Sequence, residues 1–312
     1  MEKQKVIIDT DPGVDDSAAI ILSLYDEFLD IVLITTVSGN VGIDLTTRNA
    51  LHLLEKYDRT EIPLARGAEK PMKRKPKDAT YIHQKSGMGG YVPPETVQTK
   101  PIEQDAVEAM YEKIKKYPGE IKIIALGPHT NLGNLLVKHP DVKDMISHIY
   151  CEGCSLNGYE NDDKRWANHL SFNVSSDPEA FYITTHSGIP LSIVPSKMGR
   201  ELANFTEEQI EEMGKINDTG KFLATMYKGY WERFYTDKRI ATNDTCAVLM
   251  CRNPSLFKTE KISIDVDLNE VPGKTTIHKD ENSKVELAVG VDKEKMHKFY
   301  FDAIRKLDRF KF

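Results

Sequence analysis

The sequence predicts an α/β fold: a mostly parallel open sheet flanked by helices, with a small antiparallel appendage near the C-terminus. Three observations predict it. Short runs rich in β-branched residues alternate with helical stretches, which is the signature of βαβ units covered on both faces. The polar clusters fall at the ends of those runs, where open parallel sheets collect their ligands. The C-terminal runs alternate in polarity with only short turns between them.

Taken in order, residues 5–9 (KVIID) read as a strand and 15–25 (DDSAAIILSLY) as a helix. Residues 31–37 (IVLITTV) form a second strand, 45–57 a second helix and 61–65 a short strand. Over 104–117 the apolar Val107, Met110, Tyr111 and Ile114 fall at i, i+3, i+4 and i+7, which makes a helix. Strands at 121–126, 146–151 and 191–194 enclose helices at 130–138 and 177–186. Residues 206–235 are mostly helical with a break near 217–220. KISIDVDL, TTIHKD and KVELAVGVD supply the antiparallel part, and a helix over 292–310 closes the chain. No composition shift marks a boundary, so residues 1–312 are expected to form one domain.

The 312 residues carry 42 Lys plus Arg against 48 Asp plus Glu, a net charge of -6. Clustered basic residues are needed to neutralise phosphates, so nucleic acid is not an expected partner. No run approaches the roughly 18 apolar residues of a membrane span, and the N-terminus MEKQKVIIDTD is unlike a signal peptide. A cytoplasmic protein is the expectation. The four cysteines are too few for a disulfide framework. Cys151 and Cys154 form a CxxC that a zinc site could use with Cys246 and Cys251, but their apolar surroundings favour core thiols.

The strongest chemical signal is Asp9-Thr10-Asp11-Pro12-Gly13-Val14-Asp15-Asp16, four carboxylates in eight residues. Such crowding is costly unless something positive lies among them. The helix N-terminus favours Asp15 and Asp16, yet capping needs only one carboxylate. A hard divalent cation, which takes oxygen ligands, accounts for all four. The spacing is not an EF-hand, since Ile20 stands where its bidentate Glu is required. A strand ending in DxD also resembles the haloacid-dehalogenase-type phosphatases, but Gly13 stands where that family has Thr or Val.

The whole string VIIDTDPGVDDSAAI resembles the N-terminal motif of the inosine–uridine-type nucleoside hydrolases. TTVSGN, TRNA, PLARG, HQKSGMGG, GPHTN, the pair Phe172-Asn173 with DPEA, and Asn243-Asp244 with CAV resemble that family in the same order. The resemblance implies a parallel-sheet fold and Ca2+-dependent hydrolysis of a nucleoside to ribose and free base, in nucleoside salvage. It implies Ca2+ ligands at Asp11, Asp16, the backbone carbonyl of Leu126, and Asp244. The cation would lower the pKa of a water and hold the ribose diol, and Asp11 would take that water's proton. Asp15, Asn40 and Asn173 would bind the ribose hydroxyls, with Asp244 serving both metal and sugar. The family is commonly a homodimer or homotetramer.

Two departures bear on the chemistry. Many members have His before the last metal Asp, where this chain has Asn243, and Asn cannot deliver a proton to the leaving base. Members also often carry Glu two residues before the pocket Asn, where this chain has Ser171. His83, before the Gly-rich SGMGG, is the candidate for a direct role at the leaving group. Trp231, Phe234 and Tyr235, ending a helix, and Trp166, in an unusually long 153–172 segment, are candidates to stack on a base. Two rivals follow from Asn243: a hydrolase for a different ribosyl compound, and a non-catalytic nucleoside- or ribose-binding protein.

Overall fold

A computed structural model describes residues 3–156, 170–234 and 239–310, without the side chains of 230–234. The first half runs β1 (Gln4–Thr10), α1 (Val14–Ser23), β2 (Leu29–Thr36), α2 (Ile43–Lys56), β3 (Leu64–Arg66), α3 (Thr80–His83), α4 (Ala106–Lys116), β4 (Lys122–Ala125), α5 (Thr130–Lys138) and β5 (His148–Glu152). Then come α6 (Phe172–Ser176), α7 (Pro178–Thr185), β6 (Leu191–Val194), β7 (Phe205–Thr206), α8 (Glu207–Gly214), α9 (Asp218–Phe234) and β8 (Arg239–Ile240). The chain closes with α10 (Asn243–Arg252), β9 (Phe257–Val266), β10 (Thr275–Lys279), β11 (Val285–Val291) and α11 (Lys293–Lys306).

One nine-stranded sheet organises the molecule, in the order β10-β9-β11-β6-β5-β4-β1-β2-β3. From β3 to β11 every neighbouring pair is parallel. The predicted antiparallel strands are present, and they continue this sheet: β9 pairs antiparallel with β10 and β11, while β11 joins β6 in parallel. The interior strands are near-continuous apolar runs because both of their faces are covered. One apolar cluster packs α1, α9, α10 and α11 on one face; the other packs α4, α5 and α7 on the opposite face.

The register decides what meets at the strand ends. Asp9 lies opposite Ala125, Ala125 opposite Cys151, and Glu152 opposite Val194. The carboxyl ends of β1, β4, β5 and β6 therefore form one edge, onto which the following turns fold. All four cysteines are buried free thiols. Cys246 lies near Met296 and Cys251 near Gln4, so the four are not gathered around an ion. Among the described residues no helix is long and apolar enough to cross a membrane.

Candidate active site

The acidic turn is held open by its own hydrogen bonds. Asp16, in the first turn of α1, accepts from Thr10 Oγ1 at 2.7 Å, from the backbone N–H groups of Asp11 and Gly13 at 3.2 and 3.0 Å, and from Asn40 Nδ2 at 2.9 Å. It thus ties the end of β1 to the start of α1 and to the turn after β2. Asp11 Oδ2 accepts the Asn40 N–H at 2.7 Å, while its buried Oδ1 finds no hydrogen-bond partner among the described residues. Gly39 is required here because a Cβ would overlap the Asp11 carboxylate. Asp9 takes a separate role: its Oδ1 accepts from Thr35 Oγ1 and Asn131 Nδ2, tying β1 to β2 and α5.

Asp244 reaches the same place from α10. Oxygen atoms of Asp15, Asp16 and Asp244 lie within 4.8 Å of one another, and all three residues are buried. The resemblance named Asp11, Asp16 and Asp244 as ligands; the geometric cluster adds Asp15 and leaves Asp11 beside it, in electrostatic contact with Asp16. Burial pushes the Asp15 carboxyl up to about 8, with the Asp16 charge adding to it. Burial first, then Asp15 and Asp16, holds Asp244 well above the usual carboxylate range; burial and Asp16 do the same to Asp11. Carboxylates that repel one another in a dry site suit a cation. The unpartnered Asp11 oxygen and the all-oxygen donor set fit a hard divalent ion.

The remaining walls come from other strand ends and two helices. Leu126 follows β4 and lines the pocket, its carbonyl accepting from Asn173 Nδ2 at 2.5 Å. The same amide nitrogen donates to Glu152 Oε2 at 2.9 Å. Both amide protons of Asn173 are thereby used, so its free function is that of an acceptor. Asn40 lines the pocket too, but its amide nitrogen bonds the Asp11 carbonyl and Asp16. Its observed work is to position the acids.

Asn243 sits beside Asp244 with its buried Oδ1 unpartnered among the described residues. It packs so closely on Gly199, in a π-helical turn over Met198–Leu202, that a Cβ there would overlap its side-chain oxygen. His83 ends α3 at the pocket, and its Nδ1 accepts the Val14 N–H at 3.1 Å. Burial pulls its imidazole down to about 3, so it is neutral and offers a hydrogen bond rather than a transferable proton. Trp166 and Tyr235 lie outside the described residues, as does the side chain of Trp231.

Sequence reasoning missed Glu152, Ser196 and Arg200, which all line this pocket. Glu152 ends β5 and is buried, and its Oε1 accepts from Ser196 Oγ at 2.8 Å. Burial raises its carboxyl to about 7, against the lowering effects of Ser196 and the Arg200 charge. Its signal was available: an acid in CEGC, one residue past a buried strand, is rare unless it faces a site.

Most of the chain matches nucleoside hydrolases. A family model described as inosine-uridine preferring nucleoside hydrolase matches residues 6–298. A protein named non-specific ribonucleoside hydrolase RihC from Salmonella enteritidis is 33% identical over 296 residues, covering 92% of this chain and 94% of that protein. The protein of the same name from Escherichia fergusonii is 34% identical over 273 residues, 87% of each chain. Among solved structures, a plant nucleoside hydrolase, PpNRh1, superposes with a TM-score of 0.89 at 28% identity, covering 97% of this chain and 99% of that one. A purine-preferring ribonucleoside hydrolase from Gardnerella vaginalis gives 0.88 at 26% identity, covering 99% and 100%. With the acid-lined strand edge in place and the match running nearly end to end, the chain belongs to the inosine-uridine preferring nucleoside hydrolase family and is a ribonucleoside hydrolase acting on the N-glycosidic bond.

Proposed function

We propose that this pocket hydrolyses ribonucleosides in a Ca2+-dependent reaction, with Asp11, Asp16, Asp244 and the Leu126 carbonyl as the cation's ligands and Asp15 beside them. The observation that carries this reading is the buried cluster of Asp15, Asp16 and Asp244 oxygens within 4.8 Å, flanked by the unpartnered Asp11 Oδ1. When bound, the cation would supply Lewis acidity and an anchor for the vicinal ribose hydroxyls.

The chain's own groups do the rest. Asp11 removes the proton of the attacking water, its carboxylate aimed by the Asn40 N–H. Asp15 and Asp244 accept hydrogen bonds from the 2′- and 3′-hydroxyls, and Asn173 receives a third through its free oxygen. As the C1′–N bond breaks, the ring acquires oxocarbenium character, and the surrounding carboxylates stabilise that charge. Asn243 and neutral His83 hydrogen-bond the departing base without protonating it. Leaving groups that need no proton are therefore favoured over natural bases. Any stacking by Trp166, Trp231 or Tyr235 belongs to this proposal.

A role in nucleoside salvage fits the reaction. Cytoplasmic residence is supported by four buried thiols, none paired, and a homodimer or homotetramer by the family resemblance alone. The test is a panel of purine, pyrimidine and nitrophenyl ribosides, assayed with Ca2+ and after chelation. Turnover that chelation removes and Ca2+ restores is expected, with the aryl riboside fastest. Turnover indifferent to chelation refutes the cation's role.

A further inference from the structure

Breaking the C1′–N bond separates charge: the sugar ring turns positive and the departing base turns negative. The acids from the turn after β1 and from α10 meet the positive end. The base end is different, because Asn243 and neutral His83 offer hydrogen bonds but carry no charge. Among the described residues that line the pocket, Arg200 is the one fixed positive charge. A guanidinium stays protonated at every working pH, so it can hold an anion but cannot protonate one. Beside a ring that is becoming positive such a charge is a hindrance. It gains a purpose where the negative end arrives.

The local structure puts Arg200 at that end. It lies in the π-helical turn Met198–Leu202 after β6, closed by the Ala203 N–H donating to the Met198 carbonyl at 2.9 Å. Such turns recur at functional sites. Two contacts lock this one to the start of α10. A Cβ on Gly199 would stand 2.1 Å from Asn243 Oδ1 and 2.6 Å from its backbone nitrogen, so no side chain separates the two segments there. The Ala203 carbonyl accepts from Thr242 Oγ1 at 2.8 Å, one residue before Asn243. Asn204 Nδ2 donates to the Arg200 carbonyl at 2.6 Å and to the Glu201 carbonyl at 3.1 Å, which fixes the backbone from which the guanidinium extends. Arg200 and Asn243 are thus carried by one interlocked unit, and both line the same pocket. A guanidinium has five N–H donors in a planar fork, so contacts with the wall leave others for a ligand.

We propose that Arg200 stabilises the base as it departs, so that the base leaves as an anion held by the guanidinium rather than as a neutral molecule protonated in the transition state. This rests on the hydrolase reading above. The water oxygen bonds C1′, and the electron pair of the C1′–N bond passes to the ring nitrogen of the base. The water's proton goes to Asp11, which returns it to solvent, and the released base anion takes a proton from solvent in turn. The step needs no acid at position 243, so an Asn can stand there.

The experiment follows kcat/KM of the Ca2+-loaded enzyme for 5-fluorouridine, uridine, 5-methyluridine and nitrophenyl riboside, in wild type, Arg200→Gln and Arg200→Lys. The pyrimidine ribosides share one sugar and nearly one shape, and differ in how well the base carries negative charge. Arg200→Gln should lose roughly 10- to 100-fold on uridine, the worth of a hydrogen bond from a charged donor. It should lose only a few-fold on nitrophenyl riboside, whose leaving group is a stable anion without help. Its rates should therefore fall more steeply from 5-fluorouridine to 5-methyluridine than those of the wild type, with Arg200→Lys, which keeps the charge, in between. A uniform loss across all the substrates, as a structural or sugar-side role would give, overturns the proposal, and so do unchanged rates. A wild-type measurement serves if the variants fail to fold: 5-fluorouracil, the more acidic base, should inhibit more tightly than uracil, by a ratio that grows as pH rises towards its ionisation. A ratio that stays constant with pH overturns the proposal. Absence of turnover on every riboside refutes the hydrolase reading and this proposal with it.

Discussion

Acidification should strip the cation from this protein, and the structure sets the scale. Without an ion, burial and the Asp16 charge place the Asp15 carboxyl at about 8. A cation held among Asp15, Asp16 and Asp244 needs that proton removed, so ion and proton compete. Between pH 8 and pH 6, Asp15 alone weakens apparent affinity about 50-fold, or about 2 kcal/mol. Asp11 and Asp244, also raised, add to this. The ion-free protein responds in the opposite sense. A carboxyl raised on folding lends stability that is complete below its unfolded value near 4 and is lost as pH climbs through its folded value near 8. The gap between melting temperatures with excess Ca2+ and with chelator should therefore widen as pH rises. For a chain of this size about 2 kcal/mol corresponds to roughly 3 °C. Differential scanning fluorimetry at a series of pH values measures it directly. A gap that is constant or narrows from pH 6 to pH 8 refutes the reasoning.

Other consequences are checked by steady-state kinetics. Asp11→Ala should lower kcat by a factor of ~10² to 10⁴ with a small change in KM, as expected for loss of a general base; near-normal kcat would remove that assignment. Asn243→His should raise kcat on natural nucleosides more than on a nitrophenyl riboside, and an equal or absent gain would show that base protonation is not limiting. Gly199→Ala forces a methyl onto Asn243, so it should cost about 1–3 kcal/mol in stability and lower activity; unchanged melting and rates would mean the turn yields freely.

The sheet was legible because its strands are buried on both faces. KVIID, IVLITTV and IKIIAL are β-branched runs that few other settings accommodate. The acidic turn was legible because four carboxylates in eight residues have no cheap structural use. What could not be read was how side chains divide the work once assembled. Asp9 looked like a member of the cluster, yet Thr35 and Asn131 bind it away from the others. Asn40 and Asn173 were expected on the sugar, but their amide protons go to Asp16, Leu126 and Glu152. Those partners lie 21 to 47 residues away in the chain, and local patterning carries no record of such distances. Glu152 was hidden between two cysteines that drew attention to a thiol motif. α10 was hidden for a related reason: its CAVLMC reads as core without revealing a period, although its opening residues supply Asn243 and Asp244.

The central claim is that acids from the turn after β1 and from the first turn of α10 converge to hold a divalent cation at the sheet edge. Anomalous diffraction from crystals grown with Ca2+ at about pH 8 tests it most directly. A single strong peak within coordination distance of Asp11, Asp16 and Asp244, with Asp15 beside it, is the result expected. A map without a peak there in excess Ca2+, or with those carboxyl groups paired to one another through shared protons, would contradict it.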